Sequence, residues 1–332
     1  MKSVLVIGGT GAMGIYLIPE LLKRGYAVDV LSLDTVESNH PNLRYFTGNA
    51  TDMEFVKPFL EKGYDGIVDF MIYHRDRFAE WYPVLLAHTG HYIYLSSYRV
   101  YADEEHPIRE TSPRLLDASK DQALLASEDY SIYKAQGEEM LKASSYRNWT
   151  IIRPAITYSS RRFQLVTLEM NQTVGRACLG KKVVLPKTAK DVQATMTWAG
   201  DVAAMIATIL FNKQAIGEAY TVSTAEHHTW GEVAEYYREL IGMEVVWADE
   251  ADYLAIVNGG EGAWRQLHYD RLFDRIVDNG KILALMGKTQ SDLTPLYEGL
   301  KKEIDALPKD LFATLETRSV DTRMDAWIAK HT

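Results

Sequence analysis

Ser3-Val4-Leu5-Val6-Ile7-Gly8-Gly9-Thr10-Gly11-Ala12-Met13-Gly14, followed by Ile15-Tyr16-Leu17-Ile18-Pro19-Glu20-Leu21-Leu22-Lys23-Arg24-Gly25, decides the fold. An unbroken apolar run with β-branched residues, closed by glycine, predicts a strand buried on both faces. The apolar spacing after it predicts a helix. Strand, glycine turn and helix in that order suit a dinucleotide. Its pyrophosphate needs a backbone it can approach closely and the first free N–H groups of a helix. Gly8, Gly9, Thr10, Gly11, Ala12, Met13 and Gly14 are the expected contact residues. Two registers fit them equally, Gly9-x-Gly11-x-x-Gly14 and Gly8-x-x-Gly11-x-x-Gly14.

Working outward, Ala27 to Asp34 predicts a second strand whose end meets the adenosine ribose, at Ser32 and Asp34. No Arg or Lys follows directly, which favours NAD and leaves NADP open. A third strand, Leu43 to Thr47, delivers Gly48-Asn49-Ala50-Thr51-Asp52. This turn either touches the adenine through Asn49 and Ala50 or is a plain connection to a helix capped by Asp52. Further strands at Tyr64–Met71 and Gly90–Ser97 alternate with a helix over Arg75–Ala87. The alternation predicts an α/β fold of Rossmann type, a doubly wound parallel sheet. Ligands sit beyond the carboxyl ends of such strands, so Ser96 and Ser97 arrive where the reactive end of a cofactor belongs.

A polar, proline-containing loop over Asp103–Asp121 leads to a predicted helical stretch, Asp121–Ser144, with Tyr130-Ser131-Ile132-Tyr133-Lys134 inside it. Four residues apart on a helix, Tyr130 and Lys134 share a face. A phenol is a poor base at neutral pH, and a neighbouring ammonium favours its ionised form. Tyr297 and Lys301 have the same spacing, but they follow no hydroxyl-ended strand and read as a solvated helix face.

Composition narrows the function classes. The chain has 332 residues, 47% of them apolar, enough for a large α/β domain and a smaller lobe. Its net charge of −9, with no basic block, gives no electrostatic support for nucleic acid or an anionic membrane. A small-molecule substrate is the expectation. The single cysteine, Cys178, excludes an intramolecular disulfide, fits a reducing compartment and is expected as a small buried hydrophobe. With no cleavable leader and no long apolar window, a cytoplasmic protein is expected. Adjacent His227 and His228 point apart on a helix, and Thr229 with Glu232 reads as a capping box, so no metal is expected.

Taken together, the chain resembles the extended short-chain dehydrogenase/reductase family, the NAD-dependent epimerase/dehydratase group. The resemblance rests on Gly8 to Gly14, Leu95-Ser96-Ser97-Tyr98-Arg99-Val100-Tyr101, Tyr130 to Lys134, Ile152-Arg153-Pro154 and Trp198-Ala199-Gly200-Asp201-Val202-Ala203. A late stretch, Tyr269-Asp270 to Lys281-Ile282, also matches. It implies Ser97 as catalytic hydroxyl, Tyr130 as acid/base and Lys134 as the residue that holds the nicotinamide ribose. Pro154 and Met71 would lie by the cofactor, Met71 standing with Ile72 where relatives often have two alanines. The implied activity is epimerase or dehydratase chemistry on a sugar or nucleotide sugar through a transient ketone. The same three residues serve reductases of small carbonyl compounds. Some relatives are non-catalytic NAD(P) sensors or RNA-associated proteins, a reading the intact Ser97, Tyr130 and Lys134 and the acidic charge oppose. An arginine common in relatives that hold a UDP-sugar is replaced by Ala194, which leaves Arg161 and Arg162 as candidates for a diphosphate. The expected layout is a cofactor domain over 1–155, with roughly 195–215 returning to it, and a discontinuous substrate lobe over 156–332. Apolar faces on Arg75–Ala87 and Asp121–Ser144 would suit a homodimer.

Overall fold

The apolar run at the N-terminus becomes β1 (Ser3–Ile7), an interior strand of a seven-stranded parallel sheet in the computed structural model, which describes residues 1–308, 310–313 and 318–331. Beside it run β2 (Ala27–Ser32) and β3 (Leu43–Thr47) on one side. On the other lie β4 (Tyr64–Asp69), β5 (Thr89–Leu95), β6 (Trp149–Ile152) and the short strand Ala219–Tyr220. Strand order reverses at β1, so the crevice at a doubly wound sheet's switch point opens beyond the carboxyl ends of β1 and β4. Val4, Leu5, Val6 and Ile7 are fully buried because helices cover both faces.

Helix Gly14–Lys23 turns Leu17, Ile18 and Leu21 onto the sheet. The later helix Ala199–Ile209 joins the same core through Val202, Met205 and Ile206. Beyond β6, short strand pairs build a second cluster: Ile156–Tyr158 with Met196–Trp198, Val183–Pro186 with Val245–Ala248, and Gln193–Ala194 with His228–Thr229. Trp230, Tyr237 and Tyr253 anchor that cluster. Thr229 and Glu232 form the reciprocal capping box that opens helix Trp230–Ile241.

Three expectations are corrected. The stretch over 121–144 is two helices, Gln122–Leu125 and Tyr130–Ala143, because Asp121 and Asp129 each cap a start with their side chains. Tyr130 is therefore the first residue of its helix. The large apolar residues Phe78, Trp81, Leu85, Ile132 and Leu141 of Arg75–Ala87 and Tyr130–Ala143 are buried, and Tyr82, Val84 and Met140 are half-buried. Among the described residues, no large exposed hydrophobe lies in either helix, so the apolar faces offered for a dimer are already covered. Cys178 is exposed rather than buried, since it ends a short helix just before Gly180, whose φ is +67°. Among the described residues, no helix is long and apolar enough to cross a membrane.

Candidate active site

The glycine turn separates its roles by position. Gly8 has a φ of +75°, a left-handed conformation that makes the tight turn out of β1. A Cβ on Gly11 would meet only the Gly8 carbonyl, at 3.7 Å, so its outer face is open. A Cβ on Gly14 would sit 2.0 Å from the Gly9 oxygen, so only glycine lets the helix start this close to the strand. Tight turn, open approach and close packing therefore follow Gly8-x-x-Gly11-x-x-Gly14. Gly9 is needed for another reason, because a Cβ there would strike Val30 at 2.7 Å and Val6 at 2.9 Å. No side chain caps the helix at Met13, and the Ile15 and Tyr16 amides donate to the Gly11 and Met13 carbonyls.

A cavity of about 460 Å³ opens from this turn towards the second lobe. Gly8, Gly11, Ala12, Met13 and Gly14 line it together with Ser97, Tyr130 and Pro154. The two serines after β5 divide their tasks. Both line the cavity, but Ser96 is fully buried and donates to Glu138 Oε1 at 2.6 Å, whereas Ser97 is left to influence the Tyr130 phenol. Asp129, just before Tyr130, accepts from the Ser131 amide at 2.9 Å and fixes the start of the helix. Gly137 lets that helix lie against β5, for a Cβ there would be 2.2 Å from the Tyr94 hydroxyl. Burial pushes the Tyr130 phenol up, while Arg99, Arg162 and Ser97 pull it back.

Lys134 is fully buried and donates to the Leu95 carbonyl at 2.6 Å. Burial pushes its ammonium down to about 8, against the opposing pull of Asp69 and Glu138. Asp69, at the end of β4, is itself raised to about 6 by burial, although it accepts from the Met71 amide at 2.9 Å and the Tyr92 hydroxyl at 2.9 Å. Beneath these groups, Glu138 bridges Arg153 and Arg114.

The remaining predicted contacts lie apart from the cavity lining. Thr10 and Ser32 share a hydrogen bond of 2.5 Å, and the Asp34 amide donates to Ser32 Oγ at 3.0 Å, with Asp34 itself exposed. They stand at the end of β2. Asn49 Oδ1 accepts from the Thr51 amide and hydroxyl, Asp52 caps helix Met53–Leu60, and Ala50 is buried beside them. Met71 lies beside Gly8, its Sδ 3.1 Å from where a Cβ on that glycine would sit, and its neighbours Phe70 and Ile72 line the cavity. Extended chain alternates its side chains, which puts 70 and 72 on one side and 71 on the other.

The lobe contributes groups the sequence did not single out: Gln164, Glu169, Gln266 and Arg271. Arg162 lines the cavity while Arg161 is exposed, and Ala194 is buried. Arg271 is placed by a wide turn in which the Leu272 amide donates to Leu267 O, five residues back. That turn carries Asp270 and Arg271 inward, with Arg271 Nε donating to Val166 O at 2.7 Å. Arg99 was quoted within its motif but given no role; its Nε lies 3.2 Å from Asp270. Elsewhere, His227 and His228 turn to Gln193 and Glu226 respectively, and no group of three or more metal-ligating side chains occurs among the described residues.

Residues 4–80 match the model of the NAD dependent epimerase/dehydratase family. No curated protein matches the chain. Among solved structures, an epimerase of Methanothermobacter thermautotrophicus is similar at 18% identity, over 92% of this chain and 91% of that one, with a TM-score of 0.69. A dTDP-glucose 4,6-dehydratase of Bacillus anthracis, solved with NAD, is 19% identical over 92% of this chain and 96% of that one, with a TM-score of 0.68. A UDP-glucose 4-epimerase of Thermus thermophilus, also solved with NAD, is 21% identical over 95% of this chain and all of that one, with a TM-score of 0.67. The fold read from the sequence is therefore the fold of these epimerases and dehydratases, and the family resemblance is borne out over the first strands.

Proposed function

We propose that this chain is an NAD-dependent enzyme that interconverts a carbinol and a ketone on a sugar-like substrate, in the manner of an epimerase or dehydratase. The observation that carries the proposal is one cavity lined both by the Gly8–Gly14 turn and by Ser97 and Tyr130. The turn fits a dinucleotide because Gly11 leaves room for a pyrophosphate and the helix behind it has no side-chain cap. Thr10, Ser32 and Asp34 would hold the adenosine ribose, and Pro154 would lie by the nicotinamide. A bound nicotinamide supplies the hydride chemistry.

The protein's own residues handle the proton and the geometry. Tyr130 takes the proton from the substrate hydroxyl and returns it, with Ser97 holding the same oxygen in line. Lys134 adds positive charge beneath the site while anchored to the strand end at Leu95. Residues 1–155 with 195–215 carry the cofactor in this reading, and 156–332 mainly carry the substrate. Arg162 supplies a guanidinium fork where Ala194 cannot, with the charge of the buried Arg271 beside it, which suits a nucleoside diphosphate on the sugar. The test is cofactor binding followed by turnover across sugars and sugar nucleotides. Wild type should bind NAD and convert at least one substrate, and Tyr130→Phe should bind NAD without converting it. Equal turnover in both proteins would refute the assignment of Tyr130.

A further inference from the structure

We propose that Arg99 is a positioning residue for Tyr130: its guanidinium lies against the phenol ring and sets how readily that phenol ionises, the influence that spacing alone assigns to Lys134. The inference deepens the proposed acid/base role of Tyr130 and rests on it for its catalytic meaning.

Arg99 Cζ lies 5.1 Å from the centre of the Tyr130 ring, inside the range of an attractive cation–ring contact. Lys134 Nζ is farther, at 5.7 Å, and is committed to the Leu95 carbonyl at 2.6 Å. Arg99 is also tied to three segments around Tyr130. Its amide donates to Ser97 Oγ at 3.2 Å. Its side chain reaches Asp129, the cap of Tyr130's own helix, at 3.8 Å and Asp270 of the lobe at 3.2 Å. The side chain is only 15% exposed, so solvent screens its charge weakly.

The other groups facing Tyr130 do not replace it. On the helix, Asp129 and Tyr133 add negative or neutral surroundings and Lys134 points to the strand. From the sheet comes Tyr94, and from the lobe Asp270, which opposes ionisation of the phenol. Arg162 favours ionisation but is 39% exposed and lies 3.5 Å from Glu169. Arg271 lines the cavity but faces Asp270, Tyr98 and Gln164. An adjoining recess of about 370 Å³ brings His74, Glu128 and Arg265 near the outer side, and His74 is within 3.5 Å of Glu128. Burial raises the phenol, and Arg99 is the largest influence that lowers it. Without Arg99 the phenol would keep the burial and lose its largest opposing influence, and Asp270 would be left to Arg271 and Arg275.

The test is an ultraviolet tyrosinate titration of the free protein, with Tyr130→Phe subtracted to isolate the Tyr130 transition. Arg99→Gln should raise that transition by about one pH unit. Arg99→Lys, which keeps the charge and the reach to Asp270 but loses the flat guanidinium, should raise it by less. Lys134→Met should move it less than Arg99→Gln does. An unmoved transition in Arg99→Gln overturns the proposal, as does a larger shift from Lys134→Met. If Arg99→Gln does not fold, the comparison of Arg99→Lys with Lys134→Met decides in the same way. These readouts require no substrate. Turnover retained in Tyr130→Phe would sink the acid/base role, and an unmoved titration would sink only the role of Arg99.

Discussion

Removing the carboxylate of Glu138 should destabilise the fold by about 3–5 kcal/mol, the usual cost of stranding a buried charge. Glu138 is fully buried two turns along the helix from Tyr130. Its Oε1 accepts from Ser96 at 2.6 Å and from Arg153 Nε at 2.8 Å. Its Oε2 accepts from Arg153 Nη2 at 2.6 Å and from Arg114 Nη1 at 3.0 Å. The two arginines are not equally dependent on it. Arg114 has Asp117 and Glu139, each at 2.7 Å, as further anions. The other partners of Arg153 are neutral, the Tyr101 hydroxyl at 2.9 Å and the Glu110 carbonyl at 3.0 Å. The loss in Glu138→Gln therefore falls mainly on Arg153. Arg153→Met should be destabilising too, and the double variant should lose less than the sum of the singles by at least about 1 kcal/mol. Urea unfolding of the four proteins at neutral pH measures this. Burial raises the Glu138 carboxyl, but Arg153, Ser96 and Arg114 outweigh it and hold the group below its ordinary value of 4.5. Stabilisation from a depressed carboxyl is complete above that ordinary value and fades as pH falls through the lower folded one, so the deficit of Glu138→Gln should shrink in acid. A loss under about 1 kcal/mol, or strict additivity of the singles, would refute the reasoning.

Tyr130→Phe deletes one hydroxyl at the cavity, so it should melt close to wild type while turnover on a responsive sugar substrate falls by about 100-fold or more; near-normal turnover contradicts the role. Gly14→Ala places a methyl 2.0 Å from the Gly9 oxygen, and backbone cannot give way as a side chain can. It should lower stability by about 1–3 kcal/mol and weaken NAD binding, followed by tryptophan fluorescence, whereas wild-type affinity would show that helix and turn do not need this contact. His91 is buried, with Nδ1 accepting the Phe211 amide at 2.9 Å and Nε2 2.8 Å from Thr150, and burial lowers it from 6.5 to about 4. The unfolded chain takes up the proton first, so stability should fall as pH drops from 6.5 to about 4, and His91→Gln should flatten that slope in urea unfolding. An unchanged slope would mean the ring titrates normally.

The parts of this protein that were legible in its sequence are those set by local constraints. Gly8 must turn at positive φ, Gly14 must clear the Gly9 carbonyl and Asp129 must cap the helix it precedes; each condition involves residues within six positions. Even there, choosing between the two glycine registers needed Val30 of β2, which makes Gly9 a packing residue. The placing of Met71 beside Gly8, with Phe70 and Ile72 on the cavity, is not legible locally either, because which of three consecutive side chains lines the cavity depends on how the chain leaves β4. Arg99 shows where sequence reading stops. It was visible two residues after Ser97, yet its partners Asp129 and Asp270 stand 30 and 171 positions away, and Asp270 arrives only through a wide turn in the lobe. The Tyr-x-x-x-Lys spacing promised a lysine beside the phenol, and helical geometry delivered a shared face. Burial then turned the ammonium to the Leu95 carbonyl, where Asp69 and Glu138 also compensate it. A fully buried ammonium needs such partners and the phenol ring is a weak one, so the nearer cation had to come from elsewhere in the chain. Arg99 holds that place between two carboxylates, Asp270 at 3.2 Å and, at 3.8 Å, the Asp129 that caps Tyr130's helix, coupling where the tyrosine sits to how it ionises.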